Sequence, residues 1–173
     1  MIAMDKARGL RLMGFDVDGV LTDGRLYFTP AGDEMKAFHS RDGLGMVALA
    51  KAGIKLAIIT GRSSEIVARR AENLGIDLVF QGVSDKRAVM AQLLEREGLD
   101  FSQAGYMGDD VVDLAVMRAC GFAATVPDAD PLIKQHAHFV AQQAAGRGAA
   151  REVCELILRA QGKFDAMIAA HLG

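Results

Sequence analysis

The feature that most restricts how this 173-residue chain can fold is an alternation of short apolar runs with amphipathic stretches. Leu10–Asp16, Ile54–Thr60, Leu78–Gln81 and Gln103–Met107 read as buried strands, and Gly121–Val126 and His138–Ala141 as edge strands. Asp42–Ala52, Ser63–Leu74, Asp85–Glu97, Asp110–Ala119 and Gly148–Gln161 carry their apolar residues at helical spacing. Strands that alternate with helices of about 10 to 15 residues pair in parallel, because each helix is the crossover that a parallel pair needs. The expected fold class is therefore α/β: a three-layer, Rossmann-like parallel sheet with helices on both faces. One interruption breaks the rhythm. Arg25–Phe28 and Glu34–His39 flank the turn cluster Thr29-Pro30-Ala31-Gly32-Asp33 and predict a β-hairpin, 25–39, inserted after the first strand. Without repeats or a Pro/Ser-rich linker, residues 1–173 read as a single domain whose C-terminal tail is 145–173.

Ligands of an open α/β sheet bind beyond the carboxyl ends of its strands, so those ends are where chemistry is sought. The first strand runs into Asp16-Val17-Asp18-Gly19-Val20-Leu21-Thr22-Asp23-Gly24, two carboxylates two residues apart on a strand-to-turn junction. The second ends in Thr60-Gly61-Arg62, the third is followed by Ser84-Asp85-Lys86, and the fourth gives Gly108-Asp109-Asp110 with Asp113 beyond. Carboxylates gathered on one rim repel one another unless a cation lies between them, and oxygen ligands beside a phosphate point to Mg2+. Lys86 and Thr60 supply donors for a phosphoryl group, and the helix starting near Ser63 adds backbone N–H groups. Asp110 and Asp113 also have a purely structural reading, as a helix cap and a first-turn acid.

Other classes are argued against by composition. Net charge is −2 with a pI near 6.1, so no basic face is expected and nucleic acid is not a predicted partner. No apolar run approaches a membrane span, and residues 1–8 lack a signal-peptide pattern. Cys120 and Cys154 stand apart in apolar surroundings, as buried thiols of a reducing cytoplasm do. The expected location is cytoplasmic.

The ordered set Asp16–Thr22, Thr60, Lys86 and Gly108–Asp113 resembles the haloacid dehalogenase superfamily of aspartate-nucleophile phosphatases. The resemblance implies that Asp16 attacks phosphorus, that Asp18 serves as acid and then base, and that Thr60 and Lys86 steady the phosphoryl group. It also implies that Asp16, the backbone carbonyl of Asp18 and Asp109 hold Mg2+, with Asp110 and Asp113 in support. A receiver domain shares the acidic residues, Thr and Lys, but its phosphorylated Asp follows a middle strand. Here the third predicted strand ends in Gln81-Gly82 with no Asp. A dehalogenase would not need Asp18 or the metal cluster.

Neither Gly24–Ile54 nor Gly61–Lys86 leaves room for a cap domain, so the enzyme is expected to be capless, with its crevice walled by neighbouring subunits. The hairpin, with Leu26, Phe28, Met35 and Phe38, is the expected contact element of a homo-oligomer. Roughly residues 10–163 are similar to one capless family, the 3-deoxy-D-manno-octulosonate 8-phosphate phosphatases. The similarity runs through Lys36–Gly45, Ile59–Arg62, Gly108–Asp110 and Gly146–Val153, with Ala145 where that family usually has a second Gly. It implies a homotetramer and an acidic sugar phosphate substrate. It also implies substrate contacts from His39, Ser40, Arg41, Asp42, Gly43, Arg62 and Arg70, besides Asp18 and Lys86. Arg62 and Arg70 suit a substrate carrying a phosphate and a carboxylate, and Gly146-Arg147-Gly148 is expected to be flexible enough to reach a neighbour's site. The nearest alternatives are a nonulosonate 9-phosphate phosphatase and a non-catalytic regulatory relative. The second is opposed by the presence of Asp16, Asp18 and Lys86.

Overall fold

The computed structural model describes residues 2–172; residues 1 and 173 of the expected domain lie outside the described range. Six parallel strands form the main sheet: β1 (Leu12–Phe15), β4 (Lys55–Ile59), β5 (Leu78–Phe80), β6 (Ala104–Met107), β7 (Phe122–Thr125) and β8 (Phe139–Val140), in the order β5-β4-β1-β6-β7-β8. All four residues of β1, β6 and β7 are buried, as expected of strands covered on both faces. β7, expected at an edge, is an inner strand between β6 and β8, and its uninterrupted run Phe122-Ala123-Ala124-Thr125 already has that character.

The chain leaves β1 toward β4 and β5 on one side, then returns to build β6, β7 and β8 on the other. That reversal opens the crevice between the ends of β1 and β6, where a doubly wound sheet takes its ligands. Each of the two strands carries a glycine that makes room for a side chain of the other. A Cβ on Gly14 would meet the Tyr106 ring at 2.8 Å, and one on Gly105 would meet Met13 Sδ at 2.6 Å.

The expected helices are present as α2 (Ser40–Lys51), α3 (Glu65–Leu74), α4 (Lys86–Glu97), α5 (Leu114–Ala119) and α7 (Ala149–Ala160). α1 (Ile2–Ala7), α6 (Pro131–His136) and α8 (Phe164–Ala169) have six residues each, too few to set up an apolar period in sequence. α6 nevertheless has a legible start, Asp130 accepting from Leu132 N at 2.7 Å with Pro131 at the first helical position. α2 packs on α7, which also carries α1 and α8, while α4, α5 and α6 pack in series. Cys120 and Cys154 are both buried free thiols, and burial pushes Cys120 up to about 12.

The hairpin consists of β2 (Tyr27–Phe28) paired antiparallel with β3 (Glu34–Met35), shorter than 25–39. Phe28 and Met35 are 59% and 64% exposed, and Leu26 and Tyr27 are exposed as well. Phe38, expected beside them, instead packs against the core. The segment expected to move as a tail is anchored. Gly146 N donates to Val20 O at 3.1 Å, and a Cβ there would lie 2.6 Å from the Thr22 carbonyl carbon. Six residues of α7 are buried.

Candidate active site

Asp16 follows β1 directly and is only 6% exposed. Its Oδ1 accepts from Val17 N at 2.7 Å, and its Oδ2 meets Lys86 Nζ at 2.7 Å. The turn after it winds tightly, with Val20, Leu21 and Thr22 N all donating to Val17 O. Gly19 sits in it at φ +84°, and a Cβ there would fall 2.1 Å from Asp109 Oδ2. Only glycine lets the turn after β1 close onto the loop after β6.

Lys86 is the first residue of α4, whose N-terminus is capped by Asp85 accepting from Ala88 N at 2.9 Å. Its side chain is buried, with Nζ between Asp16 and Asp113 Oδ1, the latter at 2.6 Å. Asp113, 0% exposed, also takes the Tyr106 hydroxyl on Oδ1 at 3.3 Å and the Asp109 and Asp110 N–H groups on Oδ2 at 3.0 and 3.2 Å. Asp110 caps the short 3₁₀ turn Val111–Asp113, accepting from Val111 N at 2.7 Å. The structural reading of Asp110 and Asp113 thus holds. For Asp113 it also serves the site, since the same carboxylate shapes the loop of Asp109 and fixes Lys86.

Asp16, Asp109 and Asp113 each offer an oxygen within 4.8 Å of the others. Burial, joined by the Asp113 and Asp16 charges, pushes the Asp109 carboxyl up to about 7. Burial also raises Asp16, reinforced by Asp113, with Lys86 acting the other way. For Lys86 burial acts downward, but Asp16 and Asp113 outweigh it and hold the ammonium above its ordinary value. Three carboxylates against one ammonium leave an excess of negative charge. Asp113 accepts two donors on each oxygen and Asp16 only one on each, so Asp16 and Asp109 keep the lone pairs that fit a hard divalent cation. Thr60, buried at the end of β4, is tied across to β5, its N–H donating to Phe80 O at 2.9 Å.

Asp18 lies in a separate charged cluster. Its Oδ1 is 2.5 Å from Lys36 Nζ, and its Oδ2 is 3.6 Å from Arg62 Nε. Glu34 joins both cations, at 3.2 Å from Lys36 and 3.3 Å from Arg62, whose guanidinium lies over Phe28. Lys36, Glu34 and Tyr106 were not singled out in sequence. For the first two a signal existed: strand alternation puts 34 and 36 on one face of the hairpin, opposite Met35.

His39, Asp42, Gly43 and Arg70 line one cavity with Val17, beside the turn of Asp16 and Asp18. Arg70 lies over the Phe38 ring, and a Cβ on Gly43 would come within 2.4 Å of its Nη2. His39 caps α2, its Nδ1 accepting from Arg41 N at 3.2 Å, while Ser40 and Arg41 are exposed on the first turn. Asp42, expected as a substrate contact, has a structural role as well. It is buried, and its two oxygens accept from Gly148 N at 3.2 Å and Arg151 N at 2.8 Å. Gly148 has no side chain with which to cap α7, so Asp42 caps it from α2.

A family model for haloacid dehalogenase-like hydrolases matches residues 41–121. The 3-deoxy-D-manno-octulosonate 8-phosphate phosphatase of Escherichia coli K12 is 45% identical over 160 residues, 92% of this chain and 85% of that protein. The chain belongs to this phosphatase family. Among solved structures, the family's member from Moraxella catarrhalis, in complex with magnesium ion, phosphate ion and KDO, superposes with a TM-score of 0.95 at 45% identity over 97% of each chain. The cobalt-bound form of the Haemophilus influenzae phosphatase gives 0.91 at 40% identity over 96% of this chain and 97% of that one. Among the described residues no helix is long and apolar enough to cross a membrane.

Proposed function

We propose that this protein hydrolyses 3-deoxy-D-manno-octulosonate 8-phosphate to the free sugar acid and phosphate in the cytoplasm, a step in making the inner sugar of lipopolysaccharide. The observation that carries this reading is the buried Asp16–Lys86–Asp113 centre with Asp109 across it, in a chain that matches a magnesium-, phosphate- and KDO-bound relative along 97% of its length. An Asp16 oxygen attacks phosphorus as the bond to the sugar oxygen breaks, giving an aspartyl-phosphate. Asp18 gives its proton to the leaving oxygen. It then takes one from the water that attacks phosphorus and releases Asp16. Lys86, held by Asp113, and Thr60 at the end of β4 stabilise the phosphoryl oxygens. Asp16, the carbonyl of Asp18 and Asp109 would hold Mg2+, which when bound neutralises charge on those oxygens. Arg62 and Arg70 are the cations for the sugar carboxylate, with His39, Ser40, Arg41 and Gly43 beside them.

Purified protein is expected to release phosphate from the octulosonate 8-phosphate with a kcat/KM at least about tenfold above that for nonulosonate 9-phosphates, an ordinary pocket discrimination. EDTA is expected to abolish turnover. No release from either substrate with Mg2+ present would defeat the reading, and a preference for the 9-phosphate would move the substrate. We also place a homotetramer contact on the hairpin, supported by the exposure of Leu26, Tyr27, Phe28 and Met35. Light scattering is expected to give four chains of 18.5 kDa, and a monomer would refute it.

A further inference from the structure

We propose that Lys36 is a positioning residue for Asp18: it clamps Oδ1 from the hairpin and leaves Oδ2 as the oxygen through which the proton passes. The proposal rests on the reading of Asp18 as the acid and base of the reaction.

Three observations carry it. First, Lys36 is the closest cation to Asp18, at 2.5 Å on Oδ1, whereas Arg62 stands 3.6 Å from Oδ2, beyond hydrogen-bond reach. The two oxygens are therefore unequal: Oδ1 is hydrogen-bonded, while Oδ2 carries only the looser Arg62 ion pair and can face a reacting atom. Second, the Lys36 side chain is 1% exposed although it belongs to a hairpin whose apolar side chains face outward. An ammonium so enclosed keeps to its carboxylate partners, because leaving them would strand a buried charge. Third, Lys36 is itself held. Glu34, on the same face of the hairpin, meets it at 3.2 Å and meets Arg62 at 3.3 Å. The chain Arg62–Glu34–Lys36–Asp18 thus runs from the end of β4 through the hairpin back to the turn after β1.

The consequence concerns the proton. In the first half-reaction the Oδ2–H bond breaks and its proton goes to the sugar oxygen as the phosphorus–oxygen bond opens and the Asp16–phosphorus bond forms. In the second, water forms its bond to phosphorus, Asp16 is released, and the water proton returns to Oδ2. With Lys36 on Oδ1 the carboxylate cannot rotate away between the two transfers. A misplacement of about 1 Å in such a group costs on the order of 10²-fold in rate.

The test compares Lys36→Met and Lys36→Arg with wild type on two substrates, the octulosonate 8-phosphate and p-nitrophenyl phosphate. The aryl oxyanion leaves without a proton, so kcat/KM for that substrate does not depend on a placed acid. Lys36→Met is expected to lose about 10²-fold in kcat/KM on the sugar phosphate, through kcat with KM nearly unchanged, and less than about threefold on the aryl phosphate. Lys36→Arg is expected to recover most of the loss. Equal losses on both substrates, a rise in KM alone, or no loss would overturn the proposal. If the methionine variant does not fold, Lys36→Gln carries the same comparison. A wild type inactive on the sugar phosphate would sink the proposed function and this inference with it. An indifferent variant beside an active wild type would sink the Lys36 role only.

Discussion

Asp42→Ala removes the only side chain that caps α7 in the described residues, and its cost can be worked from the contacts. Two backbone donors lose their acceptor, Gly148 N at 3.2 Å and Arg151 N at 2.8 Å. Replacing an N-cap acceptor by alanine costs about 0.5–2 kcal/mol, and leaving a further buried donor unpaired adds about 1–3. Against this stands the burial of the carboxylate itself, which outweighs its backbone hydrogen bonds and holds Asp42 above the ordinary carboxylate range. The balance is a loss of about 2–3 kcal/mol, or roughly 4–12 °C in Tm for a chain of this size. Urea unfolding at pH 7 measures it. Asp42→Asn keeps one acceptor and is expected to recover about half. The sign with pH follows from the raised value: the fold favours the protonated acid. The advantage of wild type over Asp42→Asn is therefore full below the unfolded value of 3.8 and declines as pH rises through the folded one. A loss below about 0.5 kcal/mol for the alanine variant, or an unchanged midpoint with a raised KM, would refute the capping argument and return Asp42 to the substrate.

Asp109→Asn removes a charge from the crowded carboxylate centre. It is expected to raise Tm in EDTA while losing the Tm increase that Mg2+ gives the wild type; equal Mg2+ shifts in both proteins would show that Asp109 is not a ligand. His138 Nδ1 accepts from Ala123 N at 2.9 Å and cannot do so when protonated, and burial, with Lys6 nearby, lowers its pKa below 6.5. Its contribution is thus full above 6.5 and lost as pH falls through the folded value. Wild type is expected to lose more stability than His138→Asn between about pH 7.5 and 5.5, measured by urea midpoints. Parallel losses would refute the role given to the neutral Nδ1.

The difference between what could and could not be read in the sequence lies in how far along the chain each partner sits. Asp16, Thr60, Lys86 and Asp109 were legible because each stands at a strand end or a helix start, and strand order alone brings those ends together. Asp113 was legible as a first-turn acid, but its grip on Lys86 depends on α4 and the loop after β6 meeting at the crevice. The capping role of Asp42 was not legible because its partners lie more than 100 residues away, at the start of α7. One signal pointed there: a helix that begins after Gly148, without a Ser, Thr, Asp or Asn cap, needs an acceptor from another element. Of the four six-residue helices, α1, α6 and α8 gave no period to read, whereas α5 was legible from the longer stretch 110–119 that leads into it.

The hairpin shows the same limit from the other side. Met35 was legible as an outward contact residue, but not what the opposite face, with Glu34 and Lys36, would meet. In the fold Met35 faces out and the Lys36 side chain is enclosed against Asp18. A strand pair with only two residues on each side is too short to stand on its own hydrogen bonds. What holds this one is the charged chain on its inner face. In the proposed assembly a neighbouring subunit that buries Phe28 and Met35 would steady Glu34 and Lys36 through the same few residues. Subunit contact and the placement of the Asp18 carboxylate are then properties of a single short element.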